Sequence, residues 1–200
     1  MKYGSQNGLG ARRSTRLNNF TGGASMEELN MEVWDLYSEE REVIGEHIRG
    51  TELPEDGFHL VVHVWIRNSA GKYLMAQRSA NKPTFPLMWE CVGGSVLKGE
   101  TSIHSAMREV QEEVGLNLRP EDGRLLSTKI RRTIDGKRYN DIVDVWLFQY
   151  DGEVPLENAT TDEVEQIRWM DRAEIEVLRQ ENRLVYSIKD LSYFFDKMEP

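Results

Sequence analysis

The sequence predicts an α/β protein with a mixed β-sheet. Two runs, His59 to Ile66 and Ile142 to Tyr150, are rich in β-branched and aromatic residues and read as buried strands. Residues 101 to 114 instead place Ile103, Ala106, Met107, Val110 and Val114 at helical spacing. Strand and helix patterns alternate without a regular βαβ rhythm, so the sheet is expected to be mixed rather than all parallel.

Taken in order, Val33, Leu36 and Tyr37 precede a polar turn at Ser38 to Arg41, and Val43 and Ile44 follow it before Gly45. That pattern predicts an N-terminal β-hairpin. A linker with Pro54 and Gly57 leads into His59 to Ile66; after the turn at Asn68 to Gly71, Lys72 to Gln77 is expected to pair back on it as a second, more buried hairpin. Residues 81 to 88 contain Pro83 and Pro86 and are expected to be a loop. Beyond the helix, Leu125 to Arg132 and Ile142 to Tyr150 read as strands flanking an Asp135-Gly136 turn. Gln166 to Met170 reads as a short strand and Ala173 to Arg179 as a helix. Ser187 to Lys197 reads as a terminal helix that turns Leu191, Phe194 and Phe195 inward.

The 200 residues hold 34 acids and 25 bases, a net charge of -9, with 39% hydrophobic content, enough for one domain with an ordinary core. The acidic balance argues against a general nucleic-acid coat, so no nucleic-acid partner is expected. No run approaches the roughly 18 to 20 apolar residues that cross a bilayer, so no membrane partner is expected either. A single cysteine, Cys91, permits no intramolecular disulfide and supplies no structural zinc site by itself, which points to a reducing, cytoplasmic setting. Residues 1 to 25 carry Lys2, Arg12, Arg13 and Arg16, no acids and much Gly, Asn and Ser; they read as a disordered tail or leader before a domain over 26 to 200. The N-terminal hairpin offers a strand edge that could pair with a second copy in a homodimer.

The chemistry concentrates in Gly94 to Leu116, GSVLKGETSIHSAMREVQEEVGL. At helical geometry Glu109, Glu112 and Glu113 fall within an arc of roughly 100°, while Ile103, Met107 and Val110 occupy another face. Like charges at i,i+4 cost an isolated helix about 0.2–0.5 kcal/mol per pair, and a divalent cation reverses that sign. Clustered carboxylate oxygens are hard ligands that suit Mg²⁺ or Mn²⁺.

The full spacing, Gly94, five residues, Glu100, seven residues, then Arg108-Glu109-Val110-Gln111-Glu112-Glu113-Val114-Gly115-Leu116, resembles the Nudix box at every specified position. The resemblance to the Nudix hydrolase superfamily implies the Nudix fold, a mixed β-sheet sandwiched between α-helices, and cleavage of a diphosphate-containing small molecule by water attack on phosphorus. It further implies that Glu109, Glu112 and Glu113 hold Mg²⁺, with Mn²⁺ as the substitute, that Glu100 assists in or next to the metal shell, and that Arg108 orients the carboxylates. Gly94 and Gly115 would sit at loop ends where the backbone turns sharply or approaches substrate.

Upstream, EVWDLYSEEREVIGEHIRG, HLVVHVWIRNSAGKYLMAQRSANK and TFPLMWE are similar to the isopentenyl-diphosphate isomerase branch, which makes such an isomerase the alternative reading. That branch places a cysteine before a Gly-His-Pro segment, whereas the stretch here reads Cys91-Val92-Gly93-Gly94-Ser95. The branch resemblance implies that Arg78 and Lys82 contact the diphosphate, and Trp89 and Phe85 are expected near the same mouth, where they could stack on a base or pack in the core. The Nudix resemblance also implies a general base from outside the box, expected among Asp162, Glu163, Glu165, Asp141 and Asp144, with Glu163 narrowly the leading choice. The cations Lys129, Arg131, Arg132, Lys137 and Arg138 surround one hairpin, where solvation is the ordinary role and phosphate or RNA contact the alternative.

Overall fold

The computed structural model describes residues 32–134 and 136–198; the tail expected over 1 to 25 lies outside them. Its strands are β1 (Val33–Tyr37), β2 (Val43–Ile48), β3 (His59–Arg67), β4 (Tyr73–Arg78), β5 (Trp89–Glu90), β6 (Val92–Ser95), β7 (Gly123–Ile134), β8 (Lys137–Gln149) and β9 (Val164–Met170). Its helices are α1 (Ser102–Val114), α2 (Arg172–Gln180) and α3 (Leu191–Met198).

The expected N-terminal hairpin forms as β1 and β2, which pair antiparallel as a separate two-stranded sheet. The main sheet runs β5-β4-β3-β8-β7, with β6 also on β3 and β9 also on β4. It is mixed: β3 and β8 run parallel from His59↔Asp141 to Arg67↔Gln149, whereas β6 joins β3 antiparallel from Val61↔Ser95 to Val64↔Val92. The second, more buried hairpin also forms, antiparallel across the Asn68 to Gly71 turn, but its ladder is short. β3 and β4 meet only at Arg67↔Tyr73, because β8 and β6 occupy the two edges of β3 and β4 pairs instead with β9 and β5.

Strand alternation explains the layers. Leu60, Val62, Val64 and Ile66 of β3 face Ala106, Val110 and Val114 of α1 in one buried cluster. Trp65 faces the opposite way, into a second cluster with Ile175 and Leu178 of α2 and Phe194 and Phe195 of α3. A strand buried on both faces needs no polar side, which is why β3 reads as a nearly continuous apolar run.

Helix α1 begins where the Thr101 hydroxyl accepts the His104 N–H at 3.4 Å and ends at Gly115, whose φ is +74°. A Cβ on Gly115 would lie 2.3 Å from the Pro155 carbonyl oxygen, so both conformation and packing require glycine there.

Candidate active site

Arg108 gathers the acids of α1. Its Nε donates to Glu100 Oε1 at 2.9 Å, and its Nη1 donates to Glu109 Oε1 and to Glu112 Oε2, each at 2.9 Å. Its Nη2 donates to the Ser95 carbonyl at 3.0 Å, which ties the helix to the end of β6. The planar fork can satisfy acceptors on several sides at once, a geometry an ammonium does not offer. Glu100 also accepts from the Leu97 N–H at 3.1 Å and from the Ser105 hydroxyl. Burial works to raise its carboxyl, but these donors outweigh burial and hold it below the usual glutamate range.

Two of the other acids, Glu109 and Glu113, are shifted in the opposite direction. Burial, aided by the like charges of Glu112 and Glu163, outweighs Arg108 and pushes the Glu109 carboxyl up to about 7. Glu113 is 6% exposed and has no hydrogen bond or ion pair among the described residues. Burial, reinforced by Glu90, Glu109 and Glu163, raises its carboxyl well above the ordinary value. Lys82 offsets this only in part, an ionised carboxylate without a hydrogen bond is costly, and a bound cation would compensate it. Among the described residues no three His, Cys, Asp or Glu side chains already converge on one cation position. Arg108 instead draws Glu109 and Glu112 to itself. The all-oxygen donor set and the uncompensated Glu113 nevertheless fit a hard divalent ion.

These side chains line a polar cavity of about 220 Å³, which takes in Gly94, Arg108, Glu109, Glu112 and Glu113 from the box region. Gly94 lies on β6, not at a loop end, and the Glu109 carboxylate occupies the space its side chain would take. Arg78, Lys82 and Glu163 line the same cavity, so the structure brings these candidates together with the box. They are not idle there: Arg78 Nη1 pairs with Glu90 Oε1 at 2.5 Å, and Lys82 pairs with Glu163. The loop bearing Glu163 is anchored to α1, since Thr160 and Thr161 both donate backbone N–H groups to the Glu112 carbonyl, at 3.0 and 3.2 Å.

Trp89 does not reach this cavity. It is 2% exposed, inside the core cluster shared with α2 and α3, because β5 alternation turns Glu90 rather than Trp89 toward the site. Phe85 packs edge-on against Tyr186, with ring centroids 5.3 Å apart. Asp141 and Asp144 are committed to arginines: Arg131 Nε reaches Asp141 Oδ1 at 2.8 Å, and Arg41 Nη1 reaches Asp144 Oδ1 at 2.8 Å. Within the basic hairpin, Arg131 is thus neutralised, and Arg132 pairs with Glu39. Sequence reasoning missed Glu90, the Ser95 carbonyl and the cavity-lining pair Glu32 and Arg49. The acid beside Trp89 on an expected strand was the available signal for Glu90; pairing across the fold gave none for Arg49.

A carboxylate helix served by one arginine lies against a glycine-bearing strand of a mixed sheet, and the comparisons with known proteins give the class to which this arrangement belongs. The chain belongs to the Nudix family: residues 57–191 match the NUDIX domain. It is similar to an uncharacterized Nudix hydrolase of Listeria monocytogenes, 35% identical over 167 residues that cover 82% of this chain and 91% of that relative. A Nudix hydrolase of Streptomyces coelicolor is 29% identical over 139 residues, 69% of this chain and 72% of its own. In fold the chain resembles a crystal structure from Deinococcus radiodurans with TM-score 0.63 and 23% identity, covering 78% of this chain and 94% of that one. It is accordingly a hydrolase of pyrophosphate bonds, from a family whose enzymes generally use divalent metals such as Mg²⁺ or Mn²⁺.

Proposed function

We propose that this protein is a Mg²⁺-dependent hydrolase, able to use Mn²⁺, that cleaves the diphosphate linkage of a nucleotide or related small molecule. The observation that carries the reading is Glu113, buried without a hydrogen bond or ion pair among the described residues, in a cavity that also takes in Glu109, Arg78 and Lys82. Glu109, Glu112 and Glu113 would hold the cation, with Glu100 next to them. A divalent ion there supplies charge neutralisation on phosphoryl oxygens and acidifies bound water. Arg108 orients the carboxylates, and Arg78 and Lys82 face the anionic substrate from β4 and the loop that follows it. Glu163 is the proposed base; its carboxylate must part from Lys82 before it takes a proton from water.

The isopentenyl-diphosphate isomerase alternative loses ground on Cys91, which is 3% exposed and whose thiol burial pushes well up, away from reactivity. Among the described residues no helix is long and apolar enough to cross a membrane. A cytoplasmic setting and a homodimer remain part of the proposal, the latter on the edge of β2, where Val43 and Ile44 are exposed; a mass measurement in solution checks it. Function is tested by screening nucleoside diphosphate sugars, ADP-ribose, dinucleoside polyphosphates, nucleoside triphosphates and prenyl diphosphates with Mg²⁺ or Mn²⁺. Phosphate-bearing products from one class support the reading; double-bond migration without phosphate release would replace it with the isomerase.

A further inference from the structure

The hairpin β1–β2 lies upstream of the matched residues 57–191, yet it reaches the active-site cavity. Glu32 and Arg49 extend its ladder by one rung, the Arg49 N–H donating to the Glu32 carbonyl at 3.0 Å, and both side chains line the cavity with Gly94 and Glu112. The hairpin is fastened to the rest of the site. The Lys98 N–H donates to the Val33 carbonyl at 2.8 Å, and the Gly99 N–H donates to Asp35 Oδ2 at 2.8 Å, so it grips the loop that carries Glu100. At its turn Arg41 holds the buried Asp144 of β8. Arg49 is therefore presented from a fixed support.

The cations of the cavity differ in how far they are already committed. Arg108 is saturated by three glutamates and a carbonyl, while Arg78 and Lys82 are mostly buried, at 14% and 17% side-chain exposure, against Glu90 and Glu163. Arg49 is the exception, 55% exposed, with a single bond at 2.8 Å to a Glu32 side chain that is itself 41% exposed. An exposed one-point ion pair stabilises little and exchanges readily for a stronger acceptor. A diphosphate is such an acceptor, since it offers a guanidinium two oxygens in a bidentate arrangement.

We infer that Arg49 is a substrate-contact residue, which leaves Glu32 to bind a phosphate of the diphosphate at the mouth of the cavity. The inference rests on the diphosphate-hydrolase reading above and adds the hairpin as a working part of that site. Because Arg49 meets substrate and transition state alike, its loss should raise KM more than it lowers kcat.

Calorimetric titration of inorganic imidodiphosphate, which resists hydrolysis, into the full chain with Mg²⁺ tests this directly. Arg49→Gln should weaken binding about tenfold or more, Arg49→Lys should recover part of the loss, and Glu32→Gln should bind as tightly as the wild type or tighter. Wild-type affinity in Arg49→Gln, with KM on the screened substrate also unchanged, overturns the inference and leaves the hydrolase reading standing. A wild-type protein that neither binds imidodiphosphate nor turns over any diphosphate overturns both. Circular dichroism of each variant confirms that the hairpin change has not unfolded the chain.

Discussion

Gly94 and Glu109 share one space: a Cβ on Gly94 would lie 2.3 Å from Glu109 Oε1. The obstacle is the tip of a side chain, so Gly94→Ala should fold while displacing the Glu109 carboxylate. Mg²⁺ affinity or turnover is expected to fall about 10- to 100-fold with little change in Tm. At the neighbouring Gly93 a Cβ would meet the Val62 carbonyl oxygen at 2.2 Å, which is backbone of the paired strand. Gly93→Ala should therefore lose stability, by about 1–3 kcal/mol. Paired thermal melts and metal titrations separate the two outcomes.

Arg108→Lys keeps the charge and loses the fork that reaches Glu100, Glu109, Glu112 and Ser95 at once. The expected result is a drop in kcat/KM of about 10- to 100-fold, partly recovered by excess metal. A lysine variant with wild-type kinetics would show that charge alone suffices.

Glu109 should contribute less to the stability of the metal-free protein as pH rises, opposite in sign to buried His63, whose pKa burial lowers to about 3. Folding raises the Glu109 carboxyl from 4.5 to about 7, so within that window the folded protein keeps a proton that the unfolded chain has released. Stability from this group is retained below the window and lost through it. Relative to Glu109→Gln, the wild-type Tm measured in chelator should therefore fall between about pH 5 and about pH 8, and saturating Mg²⁺ should flatten or reverse that difference.

Glu113→Gln removes a buried charge that has no hydrogen bond or ion pair among the described residues. Without metal and above neutral pH the variant should be more stable than wild type, while metal-dependent stabilisation disappears. Denaturant titrations with and without Mg²⁺ give both numbers.

What the sequence made legible was local. The acids of α1 lie three and four residues apart, so helical geometry alone placed Glu109, Glu112 and Glu113 together, and the spacing to Glu100 and Gly94 completed the box. The hairpin β1–β2 and the strand patterns of β3, β8 and β9 were equally local. Pairing choices were not. β4 takes β9 as a partner across the chain, with Leu74 opposite Trp169, and no periodicity announces that. The same holds for Lys82 on Glu163 and Arg78 on Glu90, whose acids neutralise cations that looked free for substrate. Trp89 misled because an aromatic beside a site motif fits a binding wall and a core wall equally well; the alternation of β5 decides for the core.

The central claim is that hydrolysis runs through a cation held by the glutamates of α1. Its most direct test is steady-state turnover of the best screened substrate, with Mg²⁺, by wild type and Glu112→Gln matched for folding by circular dichroism. The account predicts Mg²⁺-dependent product release by wild type and a loss of about 100-fold or more in the variant. Unchanged turnover in Glu112→Gln, or wild-type turnover indifferent to chelator, would contradict it.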